Sequence, residues 1–170
     1  AFSGGFLLTA VLLAVSTANV HLFSNFYSQN QLTKLRNHAN ECSWITFSYG
    51  FFFIAFSCAS APYLLPLVLQ ESYSASLTPF YIIAIAQLFN SAFGLASSVL
   101  QMSRFQYFNN ISMVISLLIG IIYFVFHVKD TGAVGASISF SISILLYVFL
   151  SQLFCKILLG FFVYPRRLIS

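Results

Sequence analysis

Long apolar runs alternate with short polar breaks along this chain. Five runs stand out, at 6–23, 44–61 with an apolar extension to Leu69, 79–102, 108–128 and 133–160, the last staying apolar to Val163. Each is close to the roughly 20 residues that a helix needs to cross the hydrocarbon core of a bilayer. Hydrocarbon offers the backbone no water, so a spanning segment must be helical or part of a closed barrel. Barrel strands would read as alternating segments of about ten residues. These runs are longer and continuous. The pattern predicts an all-α, polytopic transmembrane bundle of about five spans, with residues 1–170 as one transmembrane domain.

The punctuation agrees. Ser3-Gly4-Gly5 precedes the first run, and the polar stretch 28–41 separates it from the second. Pro62 and Pro66 are expected to kink or end the second helix, because proline lacks an N–H and clashes with the preceding turn. Residues 70–78 separate the second and third runs, 103–107 form a short turn around Arg104, and Lys129-Asp130-Thr131-Gly132 makes a tight turn between the fourth and fifth. Gly132 suits a positive φ there.

Inside a membrane the polar and small residues carry the information. In the third run, Gln87, Asn90, Ser91, Gly94, Ser98 and Gln101 recur every three or four residues and share one helical face. In the fourth run, Asn109, Ser112, Ser116, Gly120, Tyr123 and His127 do the same. Such a face either packs on another helix or lines a wet cavity. Gln87, Asn90, Ser91, Gln101, Arg104, Asn109, Ser112 and Ser116 are therefore the candidates for a substrate cavity. Ala10, Ala14 and Ala18, and Gly135, Ser139 and Ser143, form small-residue ladders suited to close helix packing. His21, near the end of the first run, is a candidate for proton coupling, since an ionisable group in a span is a functional candidate by default. His127 reads as a wetted interfacial residue.

Composition changes little but excludes much. Of the residues, 59% are hydrophobic and 6% charged, against about a quarter charged in soluble domains. The mean hydropathy is +0.91 and the pI about 9.1. The net charge of +4 forms no basic patch, so nucleic acid is not an expected partner. Instead Lys34, Arg36, Arg104, Lys156, Arg166 and Arg167 fall on one side of the predicted spans and Lys129 alone on the other. The positive-inside rule then places the C-terminus in the cytoplasm. Arg104 either serves this topology rule or meets an anionic headgroup. Cys42, Cys58 and Cys155 are isolated and lack metal-ligand spacing, and the acids Glu41, Glu71 and Asp130 fall in separate connections. No catalytic residue, metal or cofactor is expected, and the chain does not read as an enzyme. The sequon at Asn110 falls on the cytoplasmic side, where glycosylation is not expected. A start at Ala1 on the external side suggests that further spans precede it.

Three stretches carry a resemblance. Residues 27–42, "YSQNQLTKLRNHANEC" with Leu32, Lys34 and Leu35, are similar to a cytoplasmic connection of the polysaccharide flippase and MATE superfamily. "LQESYSASLTPFYIIAIAQLFNSAFG" resembles its external loop and following span. "VKDTGAVGASISFSISILLYVFL", with Gly132, Gly135 and Ala136, resembles the turn that opens its last span. The resemblance implies the C-terminal portion, the last five helices, of a twelve-helix, two-lobed transporter in the bacterial inner membrane. Acid-free spans look more like flippases of O-antigen type than drug exporters. The implied activity is outward movement of a lipid-linked oligosaccharide by alternating access, for surface polysaccharide biosynthesis. The implied partners are membrane lipids, the lipid-linked glycan, and polysaccharide polymerase and chain-length proteins. A cation-coupled multidrug exporter of the same superfamily and a non-transporting membrane scaffold or polysaccharide-assembly partner are the alternatives.

Overall fold

The apolar runs become helices, and the helices outrun the apolar runs. The computed structural model describes residues 2–69 and 74–167, with side chains described for 13–63, 77–129 and 131–167. Glu71 and the 70–73 part of the polar break lie outside the described residues, as do the side chains of Ala10, Pro66 and Asp130. Helix α1 spans Phe2–Ser28, α2 Leu32–Leu69, α3 Ser74–Phe93 and α4 Leu95–Met102. A helical stretch over Gln106–Leu159 then breaks at Gly132, where φ is 54° and ψ −126°. Its two limbs are α5 (Gln106–Lys129) and α6 (Thr131–Leu159). Among the described residues there is no strand, and the architecture is an all-helical bundle.

Several sequence expectations need correction. The polar stretch 28–41 is not a loop: Ser28 ends α1, only Gln29–Gln31 connects, and 32–41 forms the first turns of α2. Glu41 therefore sits on a helix. The connection is short because Asn30 takes a φ of 56°, with Asn30 N–H bonded to the Tyr27 carbonyl (3.0 Å) and Gln31 N–H to that of Phe26 (2.9 Å). This is a Schellman closure with asparagine in the left-handed position. Pro62 and Pro66 do not end α2, which stays helical to Leu69. The third run starts at Ser74 and is broken into α3 and α4, which meet at 45°. The fifth ends at Leu159, where Gly160 caps it with φ 83°.

Among the described residues three helices are long and apolar enough to cross a membrane, Leu32–Tyr63, Gln106–Lys129 and Thr131–Leu159, or four if the bent pair Leu77–Phe93 and Leu95–Met102 counts as one. The distribution of exposed apolar side chains shows where. Along α5, from Met113 to Phe126, large apolar residues face outward while Ser116 and Gly120 face in. Leu13, Phe51, Phe52, Phe56, Ile85, Phe89, Leu145 and Phe149 are similarly exposed. Such surface is incompatible with water and natural in lipid. Exposed Trp44 and Tyr63 bracket this zone on α2, nineteen residues or about 29 Å apart, which matches the bilayer core. Aromatic residues favour the two membrane interfaces.

The core of large buried apolar side chains sits beyond that zone, at the basic end. Phe23, Leu35, Ala39, Cys42, Leu95, Val99, Leu100, Cys155, Leu159, Phe161 and Val163 form one cluster. The ends of α1, α2 and α6, with all of α4, make a cap there. The fold is thus a membrane bundle with polar and small interiors, topped by a cap built like a soluble core.

Candidate functional site

The feature that organises the polar groups is the break between α3 and α4. In an uninterrupted helix the Ser97 N–H would bond the Phe93 carbonyl. Here it bonds Gly94 O at 3.1 Å, the tighter three-residue pattern, and Phe93 O loses its helical partner. Near hydrocarbon a freed carbonyl must find another donor. The Gln152 Nε2 of α6 donates to Phe93 O at 3.0 Å, and the Ser43 hydroxyl of α2 donates to the adjacent Ala92 O. The bend is therefore held by side chains from the helices on either side of α3.

Gln152 has a second task. After Gly160 the chain turns back along α6 as an extended tail over 161–167. Gln152 Oε1 accepts from Val163 N–H at 3.0 Å, and its Nε2 also donates to Val163 O. Asn40 on α2 completes the clamp: its Oδ1 accepts from Tyr164 N–H at 3.1 Å and its carbonyl from Arg166 N–H at 3.5 Å. Two amide side chains thus replace the ladder that an extended segment would otherwise lack. Phe161 and Val163 sink into the cap core. Tyr164 stays at the rim, its hydroxyl accepting from Arg166 Nη1 at 3.5 Å. The Arg166 and then the Arg36 guanidinium hold its pKa below the usual 10. Lys156 lies over the Phe162 ring, 5.3 Å from its centroid.

The sequence-predicted residues fall in separate places. Gln87 and Ser91 are buried, and half-buried Asn90 donates to Gln87 Oε1 at 3.2 Å. Asn109, Ser112 and Ser116 are buried along α5. Asn109 Oδ1 accepts from the Tyr147 hydroxyl of α6 at 3.2 Å, while Ser112 and Ser116 bond carbonyls of their own helix, those of Phe108 and Met113. Further along the same seam Gly120 meets Ser139 and Ser143 of α6. The α5 stripe is therefore a seam between α5 and α6. Gln101 and Arg104 are exposed at the basic end, with Arg104 over the neighbouring Phe105 ring at 6.0 Å. His21 is exposed, as are Ala14 and Ala18.

The residues that sequence reasoning passed over are His38, Asn40, Ser43 and Gln152. His38 Nε2 lies 2.8 Å from Asn19 Oδ1 and stands edge-on to the Phe23 and Phe26 rings, at 5.7 and 5.9 Å. Reading 28–41 as a loop concealed His38 and Asn40. Gln152, the lone amide in the apolar stretch before Cys155, was a visible signal, since a buried amide must find partners.

Surface clefts accompany these elements, three of which matter here. A cleft of about 590 Å³ lies between α3, α6 and the tail, lined by Phe89, Phe93, Leu145, Phe149, Phe162 and Tyr164 among others. One of about 240 Å³ adjoins it across Phe89 and Phe93 and reaches Pro165. A third, of about 280 Å³, lies along α2. None of the three is lined by the nine predicted residues. Among the described residues no cluster of His, Cys, Asp or Glu could hold a metal ion. No family model, curated protein or solved structure matches the chain.

Proposed function

We propose that this chain is part of a membrane transporter that flips a lipid-linked oligosaccharide across the bacterial inner membrane, with its C-terminus cytoplasmic. The observation that carries the reading is the discontinuous span α3–α4. The break sits at the basic edge of the hydrocarbon zone, and discontinuous helices are a recurring device of transporters, because they expose backbone groups to a polar path or to partner side chains. Buried Gln87 and half-buried Asn90 lie one to two turns before the break, and Gln101 and Arg104 are exposed at the far end of α4. Of these, exposed Gln101 offers an amide to a sugar and exposed Arg104 a guanidinium to a diphosphate. The resemblance in the sequence points the same way.

The test is transport. The full-length protein is placed in vesicles with undecaprenyl-diphosphate-linked oligosaccharide, and an external lectin reads sugar arriving at the outer leaflet. Flipping above protein-free vesicles is expected, with a roughly five-fold loss in Arg104→Ala, the worth of one cation against an anionic group at a membrane surface. No flipping by the wild-type protein would sink the reading. A second reading, a non-transporting scaffold, is favoured by one observation: Asn109, Ser112 and Ser116 are buried. A drug exporter has no such specific support.

A further inference from the structure

The 590 Å³ cleft joins two zones of the molecule. Its walls in the lipid zone are Phe89 of α3 and Leu145 and Phe149 of α6, all exposed. Its end at the cap is closed by Phe162, Val163 and Tyr164 of the returning tail. The level of that end follows from helix geometry. Gln152 lies twenty residues, about 30 Å, from the Gly132 turn, so it and the tail bound to it mark the edge of the hydrocarbon core. The cleft therefore opens where acyl chains lie and ends where headgroups lie.

Three cations gather at that end. Arg166 Nη1 donates to the Tyr164 hydroxyl at 3.5 Å, the Arg36 guanidinium lies close enough to lower the Tyr164 pKa, and Lys156 sits over Phe162. Lys156, Arg36 and Arg166 are themselves exposed, so they are available to an outside anion. The volume lies within the range of about 300–1,000 Å³ of small-ligand sites. Apolar walls below and cations above complement one kind of molecule.

We propose that this cleft holds an acyl chain of an anionic phospholipid, with its headgroup phosphate met by Arg166, Arg36 and Lys156. The lipid seats against the tail and holds it on the bundle. The site is lateral and independent of the transport reading.

The test uses the full-length protein in phosphatidylcholine nanodiscs doped with a phospholipid carrying a photoreactive acyl chain, either phosphatidylglycerol or phosphatidylcholine. Crosslinks are mapped by peptide mass spectrometry. Phosphatidylglycerol is expected to label the peptides carrying Leu145, Phe149 and Phe162 in excess over phosphatidylcholine. Arg36→Gln, Lys156→Gln and Arg166→Gln should each lower that labelling about five-fold, and together on the order of 100-fold, leaving phosphatidylcholine labelling unchanged. These side chains are exposed, so the variants keep the fold. Leu145→Trp, which fills the cleft from a position 40% exposed, should lower labelling by both probes. Equal labelling by the two lipids, labelling insensitive to the three cations, or a cleft reached by neither probe while α5 is labelled would each overturn the proposal. So would labelling by a prenyl-diphosphate probe alone.

Discussion

Replacing Gln152 with leucine keeps the volume of the side chain and removes its amide. Three backbone groups then lose partners: Phe93 O, Val163 O and Val163 N–H. Gln152 is 8% exposed and Val163 0%, so water replaces those partners poorly. A hydrogen bond contributes about 0.5–1.5 kcal/mol net, and a buried group left unmade costs about 1–3 kcal/mol. Three groups at the edge of the membrane, partly relieved by tail movement, give roughly 2–4 kcal/mol. That destabilisation falls on the tail and the α3–α4 bend, because the three bonds tie α6 to those two segments and none of them ties α6 to α5. Hydrogen exchange in nanodiscs reads it directly, since local opening sets the exchange rate. Exchange at the Val163 and Tyr164 amides should speed up roughly 30- to 1,000-fold, following about 1.4 kcal/mol per factor of ten. Amides in the middle of α5 should keep their protection. Asn40→Ala should expose Tyr164 more than Val163. Unchanged protection at Val163 in Gln152→Leu would refute the clamp.

Gly120→Ala places a methyl group against Ser143 Oγ and within 3.2 Å of the Ser139 carbonyl oxygen, and should cost about 1–3 kcal/mol in thermal unfolding, largely restored by adding Ser143→Gly. At Gly132, with φ 54° and ψ −126° and open space around it, alanine and asparagine should both cost about 1–3 kcal/mol, because the conformation lies outside the left-handed well that asparagine tolerates. At Gly160, with φ 83° and ψ 4°, asparagine should cost less than alanine in the same melting assay. Arginine neighbours lower the Tyr164 pKa from 10, so its phenolate contributes stability that is full above pH 10 and is lost as pH falls through the lowered value. Ultraviolet titration should find Tyr164 ionising ahead of an ordinary tyrosine, and Arg166→Gln should move it back towards 10.

The sequence alone determined that the chain is a helical membrane bundle. Apolar runs at 44–61, 108–128 and 133–160 leave the backbone no alternative in hydrocarbon, and Gly132 marked the turn between the last two. It also marked which helix faces are polar, since period and spacing are local properties. Tertiary structure alone decided what those faces meet. Asn109 finds Tyr147 across 38 positions, and Asn40 finds Tyr164 across 124. No local rule specifies such pairs. Residues 32–41 are polar enough to read as a connection, yet Leu35 and Ala39, with Cys42, recur at the four- and three-residue spacing of one helix face, and that face is buried only against Leu95, Leu100 and Val163. The α3–α4 break is likewise tertiary. Gly94 permits it, but the donors that stabilise its freed carbonyls, Ser43 and Gln152, lie 49 and 59 positions from their acceptors. A polar group in lipid declares that it needs a partner, and only the packed bundle determines which one it gets.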